Sequence, residues 1–489
     1  MEKQTNLKLV TTAVFIANFM TAIEGTIVTT AMPTIVGSLQ GIELMNWVFA
    51  IYLLVSAMGT PIYGKLADTL GRKPIFIFGT SLFIIGSALC GFANSMETLI
   101  VARGIQGLGA GAMMPVSLTI IADLYTKEKR AKVLGWNSTA WGIASVIGPL
   151  AGGLIVDTIG WHWIFFINVP IGLILLFLIG RYLVEPKQAK TSYRLDYLGS
   201  IALMFTLLAL LLGFQLLGEQ GLTNAVFTLF GGALISFFLF MKQEKRAIDP
   251  VIDLQLLQNS LFIIVNVVAA LASGFVMSMD VYIPMWMQGV LGLPAGIGGL
   301  VLAPLSILWL IGSFLAGRWM GRYSMKLVLL MSLGITLISA AWLYLIPMAT
   351  SWLWFFAISS VAGIGLGATM VATTVCVQNS VAKEQLGVAT SFNTLARTIG
   401  QTVLVAIFGL LMNQISAREL QAAQITDGQT LMNQLVNPQT AQSLPADLVN
   451  PLKEILYTSL HGVFGVGLIV IVLALLLVGG MKAMNQTKV

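Results

Sequence analysis

Residues 64–73 read GKLADTLGRK, and residues 317–326 read GRWMGRYSMK. Each stretch lies between two long apolar runs: 46–66 and 75–93 around the first, 295–317 and 327–347 around the second. Two further pairs repeat the relation. GLGAG at 107–111 is echoed by GIGLG at 363–367, and KRAKVLG at 129–135 by KEQLG at 383–387. The three offsets are 253, 256 and 252 residues. A near-constant offset means that one unit occurs twice, in the same direction. Parallel repeats of helices, with a site near the midplane between them, are an architecture of transporters.

The composition agrees with a membrane setting. Of 489 residues, 57% are hydrophobic and only 9% charged, with mean hydropathy +0.90. A soluble domain carries about 25% charged residues, so a soluble fold, disorder, coiled coil and collagen are all excluded. A helix needs about 20 apolar residues to cross the hydrocarbon, because its backbone must satisfy its own hydrogen bonds there. Fourteen runs meet that need: 9–33, 46–66, 75–93, 98–121, 133–156, 162–183, 197–217, 223–241, 261–286, 295–317, 327–347, 351–376, 387–413 and 458–481. GEQG at 218–221 separates the seventh and eighth as a hairpin. The first run follows Lys3 and Lys8 but is too long for a signal peptide and contains Glu24.

The repeats divide these runs into an N-terminal six-helix half, 1–190, and a C-terminal half, 256–489, with an inserted two-helix hairpin at 191–255. With a cytoplasmic N-terminus, 22 of the 26 lysines and arginines fall in inside loops and tails. Only Arg418 and Lys453 fall outside, which obeys the positive-inside rule. Both termini are then cytoplasmic, and 414–457 is one long external loop with a helical rhythm, read as a small cap. The same rule accounts for the net charge of +6 without nucleic acid. Cys90 and Cys376 sit in apolar runs as packing thiols, and two histidines are too few for a usual zinc site. The phosphate-cradling motif GxxxxGK[ST] is absent, so no ATP hydrolysis is read here. No metal or cofactor is expected, and no enzymatic chemistry.

Several stretches together resemble the major facilitator superfamily, and within it the fourteen-helix drug:proton antiporters. Residues 64–73 are similar to its G-x-L-a-D-r-x-G-r-k signature. Leu99 to Gly111, with Arg103, Gln106 and Gly107, resembles the fourth-helix l-x-x-x-R-x-x-q-G motif. GPLAGG at 148–153 resembles the fifth-helix exporter motif G-P-x-x-G-G. EGTIVTTAMP at 24–33 and WHWIFFINVP at 161–170 resemble the antiporters' D-x-T-I-V-N-V-A-L-P and W-R-W-I-F-x-I-N-V-P. Two positions depart from the pattern. Glu24 stands where the family has aspartate, and Gly321 occupies the second-half position that matches Asp68. The resemblance implies an all-α membrane protein of the major facilitator fold. It implies a monomer in a bacterial plasma membrane that exchanges protons for small lipophilic drugs. A dedicated exporter of a lipid, a metabolite or one antibiotic is the alternative on the same fold.

A charge at the bilayer centre costs roughly 3 kcal/mol or more, so ionisable residues within the runs are functional candidates. Glu24 and Asp280 lie on repeat-equivalent helices, one from each half, and are read as proton-coupling and substrate-binding acids. Burial raises a carboxylate's pKa and a nearby cation lowers it, so such an acid can trade a proton for a cationic drug. Arg103 is the expected partner of Glu24, either as a switchable ion pair or as a fixed one. Arg397 has three open readings: pairing with Asp280, lining the cavity, or snorkelling to the cytoplasm. Asp68, Arg72 and Asp123 lie on the cytoplasmic side. Asp68 and Arg72 are read in the loop after the second run, and the resemblance implies an interdomain latch there, in which a helix N-terminus can receive the Asp68 anion. Gly148, Pro149, Gly152 and Gly153 suit a pivot or a seal, because small residues four apart let helices approach closely. Trp136, Trp141 and Trp286 are candidate cation–π walls, and Met277 belongs to a pliant methionine wall around Asp280.

The charge asymmetry yields a direct test. In a chain with both native cysteines replaced by serine, Ser443→Cys reacts with a membrane-impermeant maleimide in intact cells. Pro250→Cys reacts only after permeabilisation, and its labelling in intact cells contradicts the fourteen-crossing topology.

Overall fold

The computed structural model describes residues 5–125, 133, 143–144, 147–185, 196–247, 256–381 and 386–481. Among these the chain is helical, with no strand. The first group of helices is α1 Leu7–Leu39, α2 Met45–Leu70, α3 Arg72–Gly91, α4 Met96–Leu124, α5 Ile147–Thr158 and α6 Asn168–Tyr182. The hairpin is α7 Tyr197–Gln220 and α8 Asn224–Glu244. The second group is α9 Ser260–Met285, α10 Ala295–Met320, α11 Met325–Leu345, α12 Leu353–Asn379, α13 Leu386–Ala422 and α14 Ala446–Gly480.

Local chemistry starts several of these helices. The Asn6 side chain accepts from the Leu9 N–H to open α1, and Ser95 and Thr98 cap α4 reciprocally. Gly221, at φ +69°, reverses the chain between α7 and α8 as the GEQG break predicts. Large apolar side chains such as Phe92, Phe177, Phe238, Phe314 and Leu345 stand exposed around the bundle. In water such a surface drives association; in a bilayer it is the solvent-facing surface.

The described residues bear on three sequence expectations. Twelve helices among them are long and apolar enough to cross a membrane, and the two expected spans not among the twelve are 133–156 and 197–217. The expected fifth span is described as helix over Ile147–Thr158 and lies in part outside the described residues, and the apolar part of α7 covers only Leu198–Phe214. Asp68 lies within α2 rather than in a loop after it, because α2 runs on to Leu70 and Gly71 alone, at φ +101°, joins it to α3. The Asp68 side chain lies outside the described set. Glu185 meets the start of α3: its Oε1 accepts from the Arg72 N–H and, at 2.9 Å, from the Lys73 N–H. Finally, 414–457 is mostly helix, in keeping with its helical rhythm. It consists of the end of α13, two short helices at Gly428–Leu435 and Pro438–Ala441, and the start of α14.

The repeat in sequence is also a repeat in packing. A Cβ on Gly107 or Gly111 of α4 would strike the carbonyls of Tyr52 and Ser56 on α2. A Cβ on Gly363 or Gly367 of α12 would strike those of Leu305 and Trp309 on α10. The two glycine pairs therefore bring equivalent helices to backbone contact, as small residues do in membranes.

Hydrogen bonds joining the two groups cluster at the end that carries the 428–441 cap. Tyr282 Oη donates to Asn46 Oδ1 (2.6 Å), and Gln288 Nε2 donates to the Thr30 carbonyl (3.0 Å). Thr34 Oγ1 donates to Gln288 Oε1 (3.1 Å). The Asp157 carboxylate accepts from the Ala295 and Gly296 N–H groups that open α10. Asn433 Oδ1 in the cap accepts from the Gly41 and Ile42 N–H groups. Gln288 lies in a wide helical turn, Trp286–Val290, that continues α9. Within the hairpin, α7 packs against both α2 and α13 and so touches both groups.

The close approach of α10 and α12 predicts an asymmetric response to bulk. Gly367→Val forces backbone apart and costs about 1–3 kcal/mol, as overpacking does. Gly334→Val on α11, where a Cβ meets nothing within 4 Å, leaves stability unchanged. Thermal unfolding of the purified variants, each against the parent, reads the difference.

Candidate functional site

Glu24 lies about 26 Å along α1 at 1.5 Å per residue, and is fully buried. Its Oε1 accepts from Arg103 Nη1 of α4 at 2.5 Å, and its Oε2 accepts from Asn168 Nδ2 of α6 at 2.7 Å. Arg103 is itself only 1% exposed, so its charge is also out of water. Three further groups surround it. Arg103 Nη1 donates to Gln106 Oε1 (2.7 Å), Nε donates to the Val48 carbonyl of α2 (3.2 Å), and its guanidinium lies 4.0 Å from the Tyr52 ring centre. Ser87 of α3 closes the network. Its hydroxyl accepts from Gln106 Nε2 and Asn168 Nδ2 and donates to the Phe165 carbonyl. One ion pair thus organises α1, α2, α3, α4 and α6.

Asp280 is different. From Ala272 to Val290 every other residue is buried, Met277 and Trp286 included; Asp280 alone is half-buried. No hydrogen bond or ion pair reaches its carboxylate among the described residues. Trp286 stacks within an aromatic cluster of Phe355, Tyr457, His461 and Phe464. Its indole N–H has no hydrogen-bond partner among the described residues. Trp136 and Trp141 lie outside the described residues.

Arg397 does not pair with Asp280. Asn393 bonds Asn266, Gly400 faces the Ala270 carbonyl, and Gly274 faces Leu404, which sets α13 parallel to α9 at a fixed register. Asp280 therefore stands about 17 Å further along the helices than Arg397, at 1.5 Å per residue. Arg397 Nη2 instead donates to the Met370 carbonyl (2.6 Å), Thr374 Oγ1 (2.6 Å) and Thr373 Oγ1 (3.2 Å) of α12.

Arg72 forms an ion pair with the exposed Asp123, tying α3 to α4 within one group. The small residues of α5 sit between the groups. A Cβ on Gly148 or Gly152 would meet Thr26 or Ile27 of α1. One on Gly153 would overlap Gly296 of α10, and one on Gly299 would overlap the Pro149 carbonyl.

With this geometry in hand, comparison with known proteins is decisive. Residues 14–405 match the family model of the Major Facilitator Superfamily. The chain belongs to the major facilitator superfamily. It is a multi-pass membrane transporter and not an enzyme. It is 35% identical to Multidrug transporter protein MdtP of Bacillus subtilis, over 96% of this chain and 92% of that protein. It is 34% identical to Multidrug resistance protein 3 of the same species, over 96% and 94%. In structure it is similar to a bacterial homologue of the human lysosomal transporter Spinster in an inward-facing, occupied conformation. There the TM-score is 0.65 with 16% identity, over 96% of this chain and 95% of that one, a likeness of fold.

Sequence reasoning for this major facilitator protein missed Asn168, Tyr52 and Ser87 around the ion pair. It also missed Asn46, Asp157, Tyr282, Gln288 and Asn433 between the groups. Asn168 had a signal, since it lies in the WHWIFFINVP stretch. Asp157, four residues after Gly153, had only its position after the GPLAGG motif.

The buried pair makes a thermodynamic prediction. Removing one partner of such a pair costs about 3–5 kcal/mol, because an unanswered charge is left in the interior. Arg103→Gln therefore lowers thermal stability sharply, and the double variant Glu24→Gln/Arg103→Gln recovers much of the loss. Additive losses in that cycle contradict direct coupling.

Proposed function

We propose that this chain exports lipophilic cationic or zwitterionic drugs across a bacterial plasma membrane in exchange for protons. The observation that carries the reading is the fully buried Glu24–Arg103 pair in a transmembrane helix bundle. An exchanger needs an acid whose proton affinity depends on a movable neighbour, and Arg103 has alternative acceptors in Gln106 and the Val48 carbonyl. The multidrug names of the two Bacillus relatives support the substrate class.

In this reading the chain crosses fourteen times as a monomer, with both termini cytoplasmic and the 414–457 cap external. Halves 1–190 and 256–489 rock about the site, and the 191–255 hairpin packs beside them. The inter-half bonds at the cap end then form a closed external gate, and the site opens inward. A cationic drug enters from the cytoplasm and meets the unpaired Asp280 carboxylate. Rocking opens the external gate, Arg103 leaves Glu24 for its neutral acceptors, and an external proton takes its place. On return Arg103 displaces that proton to the cytoplasm. Gly148, Pro149, Gly152 and Gly153 seal α5 against α1 and α10, while Asp68, Arg72 and Asp123 latch the cytoplasmic end when it closes.

Glu24→Gln nearly preserves shape but cannot titrate. It abolishes gradient-driven efflux from vesicles and drug-induced proton release from purified protein. Full retention of both assigns Glu24 a structural role. Asp280→Asn weakens cationic substrates most. Asp68→Asn lowers turnover while leaving substrate affinity intact; unchanged turnover reduces that loop to a topology signal.

A further inference from the structure

Arg397 carries a positive charge that no carboxylate answers among the described residues. Its three contacts, all through Nη2, are to one carbonyl and two hydroxyls. Nε is buried without a partner, and Nη1 makes no hydrogen bond among the described residues. The neighbouring Asn266, Asn393 and Thr374 bond one another and supply no charge. The side chain is half-buried, about 16 Å along α13 from Leu386, at the end away from the inter-half bonds. A satisfied structural arginine spreads its fork over several acceptors; this one is fixed on one nitrogen and leaves the rest of the fork unfilled. A guanidinium binds planar oxyanions best, through paired N–H groups.

We infer that Arg397 is an anion subsite of the transport path, taking the carboxylate of an amphipathic substrate. Thr373 and Thr374 hold one nitrogen in place, and Nη1 faces the ligand. Asp280, about 17 Å further along the bundle, takes no part in this contact. The second group of helices therefore offers separate places for a substrate's negative and positive groups, which favours zwitterions. The inference rests on the export reading above, but its test does not.

The probes are tetramethylrhodamine, whose free carboxylate makes it a zwitterion, and its methyl ester, a lipophilic cation of nearly the same shape. Binding to full-length protein in detergent is followed by fluorescence anisotropy. Arg397→Gln weakens the free acid at least ten-fold and the ester less than two-fold, while Arg397→Lys retains part of the preference. In the unaltered protein, benzoate displaces the acid and benzamide does not, a measurement that stands even if the Gln variant fails to fold. Equal losses for both dyes make Arg397 a structural clamp and overturn the inference, as does no loss for either. Nanodiscs of phosphatidylglycerol and phosphatidylcholine separate the two sources of an oxyanion. Suppression of acid binding by phosphatidylglycerol in the parent alone assigns the site to a lipid phosphate, and overturns the substrate assignment. Failure of vesicles to export the ester counts against the export reading and leaves these binding ratios untouched.

Discussion

A polar group carried into hydrocarbon has no water to turn to, so its partner must come from the chain itself. Glu24 meets that constraint through Arg103 and Asn168, and the answer recruits most of the N-terminal group. Ser87 must be where Gln106 and Asn168 can both reach it, and α2 must bring the Val48 carbonyl to Arg103 Nε. In a low-dielectric interior each such bond is strong when made and costly when missing. The positions of α1, α3, α4 and α6 are therefore set by one carboxylate as much as by apolar packing.

The same turn of α2 also holds the other group of helices. Val48 accepts from Arg103, and Asn46, two residues earlier, accepts from Tyr282 on α9. Tyr282 is in turn two residues from Asp280. A shift of Arg103 away from Glu24 changes what pulls on the start of α2, where the two groups are joined. This gives a short mechanical path between an acid in one half and the contact surface of the other. Near that surface, the glycines of α5 leave no side chain to cushion a movement, so α5 and α10 are either in backbone contact or apart.

Much of the fold was legible because the bilayer imposes a simple rule on length and polarity. The apolar runs, the hairpin at 218–221 and the glycine repeat all follow from that rule, and the glycine pairs recur in the packing as equivalents. The Glu24–Arg103 pair was legible for the same reason: two opposite charges in apolar helices have few other partners. What escaped were neutral polar groups. Asn46, Gln288 and Asn433 cost little to carry and have no periodic signature, so only the folded chain reveals that they bridge the halves. The loop expected to hold Asp68 shrinks to one residue because a single glycine makes the turn, and an acid that meets α3 comes from Glu185, more than a hundred residues away. The helical rhythm of 414–457 was legible, but hydropathy does not mark where its short polar helices begin and end.

The two groups of helices share an ancestry of sequence but not a way of handling charge. The first answers its intramembrane acid with its own arginine, in a fully buried ion pair. The second carries Asp280 and Arg397 too far apart to neutralise one another, and gives neither a counter-charge among the described residues. Charges left unanswered in a membrane persist only where water or a passing ligand completes them. The halves therefore differ in their electrostatics: the first closes its charges on one another, and the second leaves a carboxylate and a guanidinium without a counter-charge among the described residues. The asymmetry sits on a shared scaffold, since equivalent glycine pairs bring α4 to α2 and α12 to α10 at backbone contact.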